Sequence, residues 1–413
     1  MNLFTTARGE LRLSRYPEDP REQLRAWDAA DEYLLNHLYG AADPDLLPPD
    51  TPPADPAGEV VVLGDRWGAL TTSLSTGGAA TPTEPRPTLV TDSHLAREAT
   101  RANLARNGAD PAAARLLAST DPAPWGPHPA EGPGRIDLLL VRVPKSLAFL
   151  EDQLHRLAPA LHPGSVVIGT GMVTEIHTST LQLFERIIGP TRTSKAVRKA
   201  RLIFSTPGVE TRPANPWPLR HHLPEGIGVL SGRPVTNVAG VFCADRLDIG
   251  TRFLLEHLAV RPGPLQVVDL GCGNGILGTA AALANPQAAV TFVDESFPAL
   301  ASAEATFREN AGPDAAATFL AADGLGPDAV AAVPPGSVDL VLNNPPFHSH
   351  QATTDATAWR MFTGARRALR PGGELWVVGN RHLGYHVKLR RIFGNCQTVA
   401  GNPKFTVLRA VKR

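Results

Sequence analysis

Cysteine is scarce in this chain. Cys243, Cys272 and Cys396 are the 3 among 413 residues, and none has Cys-x-x-Cys spacing. So sparse and odd a set excludes a disulfide framework, offers no zinc ligand pattern, and suits reduced thiols in a cytoplasmic setting. Net charge is absent too: 40 Lys and Arg balance 40 Asp and Glu, so no global field marks a nucleic-acid partner. No uninterrupted apolar run is long enough to span a bilayer, which excludes a membrane partner. The start, Met1-Asn2-Leu3-Phe4-Thr5, has neither a basic n-region nor a long apolar h-region, so no signal peptide is expected. What remains is a soluble globular chain, 43% hydrophobic with a mean hydropathy of -0.10. It is too long for one ordinary core, which implies two domains or more.

Acidic residues are also missing locally. None follows Glu374, whereas Arg381, Lys388, Arg390, Arg391, Lys404 and Arg409 do. The gap between Glu185 and Glu210 likewise holds Arg186, Arg192, Lys195, Arg198, Lys199 and Arg201. Most charge runs are solvated surface. Two of them in a neutral chain suggest a one-sided footprint for an anionic partner, with Arg381 and Lys388 as candidate contacts.

Along the chain, apolar periodicity predicts a helix over residues 21–39. Strands are expected at 59–64, 88–92, 136–141 and 165–169, with helices over 94–107 and from 145 to about 161. Residues 121–134 read as an irregular Pro/Gly-rich insertion. The second half repeats the order. Strands are expected at 265–270, 290–294, 338–342 and 374–379, with helices over 298–310 and 354–369. Leu161-His162-Pro163-Gly164 matches Leu369-Arg370-Pro371-Gly372 at a lag of about 200 residues, and Lys199-Ala200-Arg201-Leu202 matches Val407-Leu408-Arg409-Ala410. A duplicated α/β domain follows: residues 1–206 and 241–413, joined by a Pro/Gly-rich linker over 207–240.

The chemistry gathers at predicted strand ends in the second half. Asp269-Leu270-Gly271-Cys272-Gly273-Asn274-Gly275 is a glycine-rich loop between a strand and a helix. Its G-x-G-x-G spacing departs from the pyrophosphate pattern and suits a small zwitterionic nucleoside. Asp294 closes the next strand, where an acid can bind ribose hydroxyls, and Asp323 ends a third, where an acid can reach an adenine amine. Asn343-Asn344-Pro345-Pro346-Phe347-His348 ends the fourth. Its two prolines force a stiff, extended exit from the sheet, and open α/β sheets bind ligands at that edge. The Asn344 side-chain oxygen and the Pro345 carbonyl can accept the two protons of an exocyclic base amine. This favours a pyramidal nitrogen with an available lone pair, while Phe347 stacks on the base.

Together, the Asp269–Gly275 loop and Asn344-Pro345-Pro346-Phe347-His348 resemble a class I S-adenosylmethionine-dependent methyltransferase acting on an exocyclic amine. A longer match, through residues 241–252 and 379–386, is to the bacterial ribosomal RNA guanine-N2 methyltransferases with duplicated domains. Within that family the large-subunit branch is closer than the small-subunit one. The resemblance implies two tandem Rossmann-like class I methyltransferase domains, the N-terminal one degenerate, and S-adenosyl-L-methionine as cofactor. It implies protein-free or partly assembled 23S rRNA as partner, with no obligate protein partner. By motif position, Phe242 and Asp248 lie near the cofactor. Asp269, Gly271 and Gly273 line its methionine portion, Asp294 its ribose and Asp323 its adenine, with Asn344 and Phe347 holding guanine. A 16S rRNA enzyme, or a non-catalytic RNA-binding factor with a relic site, stays open.

The N-terminal repeat departs from the pattern. Leu63-Gly64-Asp65-Arg66-Trp67-Gly68 replaces the glycine loop, and Arg142-Val143-Pro144-Lys145 replaces the Asn-Pro-Pro turn. Without the amide and the ring, this half is expected to bind no cofactor. It is read as either gripping RNA phosphates through Arg142 and Lys145 or serving as a packing platform.

Overall fold

A computed structural model describes residues 2–20, 22–52, 58–76, 86–122, 135–208, 212–346 and 351–413, with residues 111 and 351–355 described by backbone alone. The chain folds into two units, Met1–Pro216 and Trp217–Arg413. Among the described residues no helix is long and apolar enough to cross a membrane.

In the first unit a hairpin of β1 (Asn2–Thr6) and β2 (Gly9–Leu13) precedes a sheet. The sheet comprises β3 (Val60–Leu63), β4 (Thr88–Thr91), β5 (Arg115–Ala118), β6 (Ile136–Arg142), β7 (Leu161–Met172), β8 (Thr191–Thr193) and β9 (Ala200–Ser205). Their order is β5-β4-β3-β6-β7-β9-β8, parallel through β7, with β9 antiparallel to both neighbours. Alternate residues of one strand face opposite layers. Val60 and Val62 pack with α1 (Ala29–Leu38) and α2 (Ala69–Thr76), whereas Val61 and Leu63 face α4 (Leu147–Leu157) and α5 (Thr178–Ile187). Between them in the chain comes α3 (His94–Arg106). The near-continuous apolar runs of these strands follow from burial on both faces.

The helix expected over 21–39 begins only at Ala29. Asp28 caps it, accepting from the Ala30 amide at 2.8 Å, while Asp31 accepts from the Asp28 amide at 2.9 Å. This reciprocal cap ends the helix on its N-terminal side whatever the apolar spacing upstream. Of the predicted insertion at 121–134, residues 123–134 lie outside the described residues.

The second unit has a hairpin of β10 (Leu219–His222) and β11 (Pro234–Asn237). Next come α6 (Ile249–Leu255), β12 (Gln266–Leu270), α7 (Ile276–Ala284), β13 (Ala289–Asp294), α8 (Phe297–Ala311), β14 (Ala317–Ala321) and β15 (Val338–Asn343). The chain continues through α9 (Gln351–Ala368), β16 (Leu369–Asn380), α10 (Tyr385–Phe393), β17 (Gln397–Gly401) and β18 (Phe405–Val411). The sheet order, β14-β13-β12-β15-β16-β18-β17, repeats that of the first unit element for element. Even an irregularity recurs. Between Ile136 and Leu138 the partner register jumps from Leu161 to Val166, and between Val338 and Leu340 it jumps from Leu369 to Glu374. Two independent α/β domains have no reason to share such a step, so the halves are a duplication of one Rossmann-like fold.

Arg142 overturns the expectation that it grips RNA. Its side chain is fully buried. Its guanidinium pairs with Asp28 at 2.6 Å, Glu175 at 2.9 Å and Asp31 at 3.3 Å. A cation ringed by three carboxylates has no charge left for a phosphate. These partners hold Arg142 protonated, and Arg142 in turn draws the Glu175 carboxyl down to about 2 against the burial that would raise it. Arg66 joins the cluster, at 2.6 Å from Glu175, so the first unit's equivalent of a ligand site is filled by its own side chains. Lys145, by contrast, is exposed. Removing one member of a buried ion cluster leaves uncompensated charge, which costs about 3–5 kcal/mol. Arg142→Ala is therefore expected to lower the urea midpoint of the first unit sharply. Lys145→Ala should stay within about 0.5 kcal/mol of wild type, and equal midpoints for the two variants would refute the structural assignment of Arg142.

Candidate active site

The parallel strands of the second sheet end level with one another. Leu270 pairs with Val293 on one side and Asn343 on the other, and Asp294 pairs with Ala321. The loop of residues 271–275, Asp294, Asp323 and Asn344 therefore line one carboxyl edge. The loop leaves β12 with φ of 69° at Gly271, 53° at Gly273 and 77° at Gly275, a left-handed conformation that side-chain-bearing residues resist. Gly275 and Gly273 do different things. A Cβ on Gly275 would lie 2.8 Å from Ala303, so this position lets α7 pack on α8. A Cβ on Gly273 would meet nothing within 4 Å, so the middle of the loop borders open space.

Two carboxylates face this loop. Asp269 is buried and accepts from the Gly278 amide at 2.7 Å, within the first turn of α7. Burial pushes its carboxyl up to about 8, against that hydrogen bond and with help from the neighbouring charge of Asp294. Asp294 accepts from Gly273 N at 3.0 Å and from Ser296 N at 3.0 Å, and burial raises it as well. Among the described residues neither acid has an ion-pair partner. A buried acid beside a half-buried one, without a counter-charge, is a place where a small cation would be stabilised.

Asn344 is fastened from one side. Its Nδ2 donates to Asp248 Oδ2 at 2.9 Å and to Thr251 Oγ1 at 2.9 Å. Asp248 is the N-cap of α6, its Oδ2 also accepting from Thr251 N at 2.8 Å. A carboxylate can only accept, so the amide must turn its nitrogen toward the helix. Both amide protons are used. Asn344 Oδ1 is left buried with no hydrogen-bond partner. An unpaired buried acceptor costs free energy unless a ligand supplies the donor. Asn343, fully buried, donates to Leu270 O at 2.5 Å and also leaves its Oδ1 unpaired.

The other expected residues divide. Pro345 is buried behind Asn344, and Phe242 is 52% exposed. Phe347 and His348 lie outside the described residues. Asp323 follows β14 but shares its carboxylate with Arg360 at 3.3 Å. Arg381, just beyond β16 on the same edge, is exposed and donates to Asn402 O. Lys388 is partly buried, its Nζ donating to Leu383 O at 3.2 Å. The residue sequence reasoning missed is Thr251. Asp248-x-x-Thr251 is a helix-start pattern that could have located it.

The same fastening exists in the first unit. Strand register places Arg142 where Asn344 stands, and Arg142 reaches the N-cap Asp28 and, three residues on, Asp31. In the second unit the equivalent partners are the N-cap Asp248 and, three residues on, Thr251. Helix α1 lies on β7 and β9 as α6 lies on β16 and β18.

Comparison with known proteins agrees with this division. Residues 1–209 match the RLMG N-terminal domain model and residues 232–409 the methyltransferase small domain model. The chain is 64% identical to ribosomal RNA large subunit methyltransferase G of Streptomyces avermitilis, over 99% of both chains. It is 46% identical to the protein of the same name from Pseudomonas paraeruginosa, over the full length of both. A T. thermophilus 16S rRNA N2 methyltransferase, solved with AdoMet and guanosine, superposes over 100% of this chain and 98% of its own. That superposition has a TM-score of 0.70 at 21% identity, a likeness of fold.

The raised carboxyl of Asp269 gives a pH-dependent stability with a defined sign. The folded protein prefers the neutral acid, whereas the unfolded chain ionises near the ordinary value of about 3.9. The group's contribution is thus fully favourable below that value and is lost as pH rises toward about 8. Asp269→Asn keeps an acceptor for Gly278 N and cannot ionise. Thermal melting should place it above wild type near pH 8.5, with the gap closing toward pH 5. A gap that widens toward acid would contradict the assignment.

Proposed function

Because the chain belongs to the ribosomal RNA large subunit methyltransferase G family, we propose that it methylates the exocyclic N2 amine of one guanine in 23S rRNA. The observation that carries this reading is the locked Asn344 amide, whose one uncommitted atom is a buried acceptor. The methyl donor is S-adenosylmethionine, which supplies an electrophilic carbon on a sulfonium. The second unit suits that group: open space over Gly273, and the buried Asp269 and half-buried Asp294, with no ion-pair partner among the described residues, facing where a cationic amino acid and ribose would lie. Asp323 takes the adenine side, sharing its charge with Arg360.

On the substrate side, Asn344 Oδ1 accepts one amine proton and the Pro345 carbonyl the other. The nitrogen is drawn pyramidal, its lone pair released from the ring and directed at the donor. Positioning does this work, and no general base need act before transfer. Asp248 and Thr251 hold the amide in the accepting orientation, so Asp248 acts on the reaction through Asn344. Phe347 stacks on the base and Arg381 and Lys388 approach the RNA backbone from the same edge. A paired guanine hides N2 in the minor groove, so the target is unpaired or flipped, which suits protein-free or partly assembled RNA.

Mass mapping of methylated nucleosides in rRNA from cells lacking the protein tests this directly. One N2-methylguanosine in 23S rRNA should disappear, return with wild-type protein and stay absent with Asn344→Ala. Full retention at every large-subunit site, or loss of a methyladenosine or a 16S site instead, would overturn the assignment. Asp248→Ala should lower kcat roughly tenfold through the freed amide, with KM for S-adenosylmethionine little changed. A large rise in that KM would place Asp248 on the cofactor instead.

A further inference from the structure

The carboxyl edge is not the one place where the second unit collects positive charge. At the amino edge of its sheet, the far ends of α9 and α10 enclose a groove of about 700 Å³, lined by Trp359, Arg366, Arg367, Arg391 and Lys412. Among its described lining residues are four cations and no carboxylate. Arg366 and Arg391 are exposed, and the Arg391 guanidinium sits over the Trp359 ring, 5.3 Å from its centre. Trp359 itself is 37% exposed.

The other two cations have neutral partners. Arg367 donates to the carbonyls of Leu325 and Gly326, and Lys412 to those of Arg367 and Leu369. Such bonds fix the side chains without cancelling their charge. They also remove an obstacle. The last carbonyls of α9 form the negative end of its dipole and would repel an anion, but Lys412 Nζ and Gly336 N already occupy the Arg367 carbonyl. Four cations crowded without an acid repel one another, and the groove is relieved when an anion enters. An aromatic face beside them adds a surface on which any base can stack.

The groove connects to the candidate active site. Helix α10 starts at Tyr385, just past Arg381 at the carboxyl edge, and runs to Phe393 at the amino edge. Lys388 and Arg391, three residues apart, lie on one side of it. Arg381, Lys388 and Arg391 thus mark a basic track from Asn344's edge to the groove. The strand between the two edges, β15, has 6 residues, a span of about 20 Å. That equals about six steps of a nucleic-acid strand at 3.4 Å each.

We infer that this groove binds the sugar-phosphate backbone of the substrate RNA some six nucleotides from the methylated guanine, with one unpaired base against Trp359. The inference rests on the RNA-methylating function above and adds to it a second contact that sets register.

Filter binding of the full-length protein to protein-free 23S rRNA transcript, over a KCl series, tests it. The double variant Arg366→Glu/Arg391→Glu should bind at least tenfold more weakly. The slope of log affinity against log salt should fall by about 1.4 to 1.8, the loss of two phosphate contacts. Trp359→Ala should bind roughly five- to a hundredfold more weakly with its slope unchanged. S-adenosylmethionine titration by calorimetry should be the same for all three proteins, which confirms that the variants fold. Unchanged affinity and slope in the charge-reversed protein, or a wild-type protein that does not bind the transcript, would overturn the groove. A wild-type protein that binds without transferring methyl groups would count against the activity, while loss of that binding in the double variant would still support the groove.

Discussion

The second unit depends on one fastening: the Asn344 amide held by both protons against the start of α6. Two prolines stiffen the exit from β15, but stiffness alone does not decide which end of the amide faces the ligand. Asp248 does, because a carboxylate cannot donate and so takes the nitrogen side. One oxygen, Asp248 Oδ2, both starts the helix and orients the amide. Helix formation and site geometry therefore stand or fall together. For the proposed reaction, the consequence is an acceptor prepared in advance, with little reorganisation left to make.

Much of this was legible in the sequence, and what was not has identifiable causes. The placement of Asp269, Asp294 and Asn344 at the carboxyl edge was legible because glycines and prolines mark where parallel strands stop. The duplication was legible because Leu-x-Pro-Gly recurs at the same place in each half. Two things were hidden. The helix at Ala29 was read too long because apolar spacing continues upstream of Asp28, and periodicity does not register a capping box. Arg142 was read as a free cation because sequence shows a charge at a strand end but not its partners. Those partners, Asp28 and Glu175, lie 114 and 33 residues away, and only the fold brings them together.

The electrostatics of the two sheet edges differ in kind. At the carboxyl edge, among the described residues, Asp269 and Asp294 have no ion-pair partner, which suits a small cationic group. In the groove at the amino edge, the described lining has four cations and no carboxylate, which suits an anion. Both arrangements raise the energy of the empty protein, and each is tolerated because its charges are held by hydrogen bonds to neutral backbone. Gly278 N does this for Asp269, and the Leu369 carbonyl for Lys412. Neither pattern is visible in a net charge of zero.

Comparing the two halves separates bonds that both copies of the fold make from groups that one copy alone carries. In the second unit the Asp269 carboxylate accepts from the first turn of α7; in the first unit the aligned position is Val62, and the loop residue Asp65 takes over by accepting from Thr71 N at 2.8 Å. Asp294 accepts from Ser296 N; at the aligned strand end the Thr91 hydroxyl accepts from Ser93 N at 3.2 Å. Asn344 reaches the N-cap of α6; Arg142 reaches the N-cap of α1. These three structural hydrogen bonds have counterparts in the first unit, each made by a different group. What differs is the residue at each aligned strand end: Val62 stands at the Asp269 position, Thr91 at that of Asp294 and Arg142 at that of Asn344. The bonds retained in both halves are those the duplicated fold needs, and the groups found in the second half alone are those the proposed reaction would use. Asp269, Asp294 and Asn344 are set apart in this way by a contrast within the chain itself.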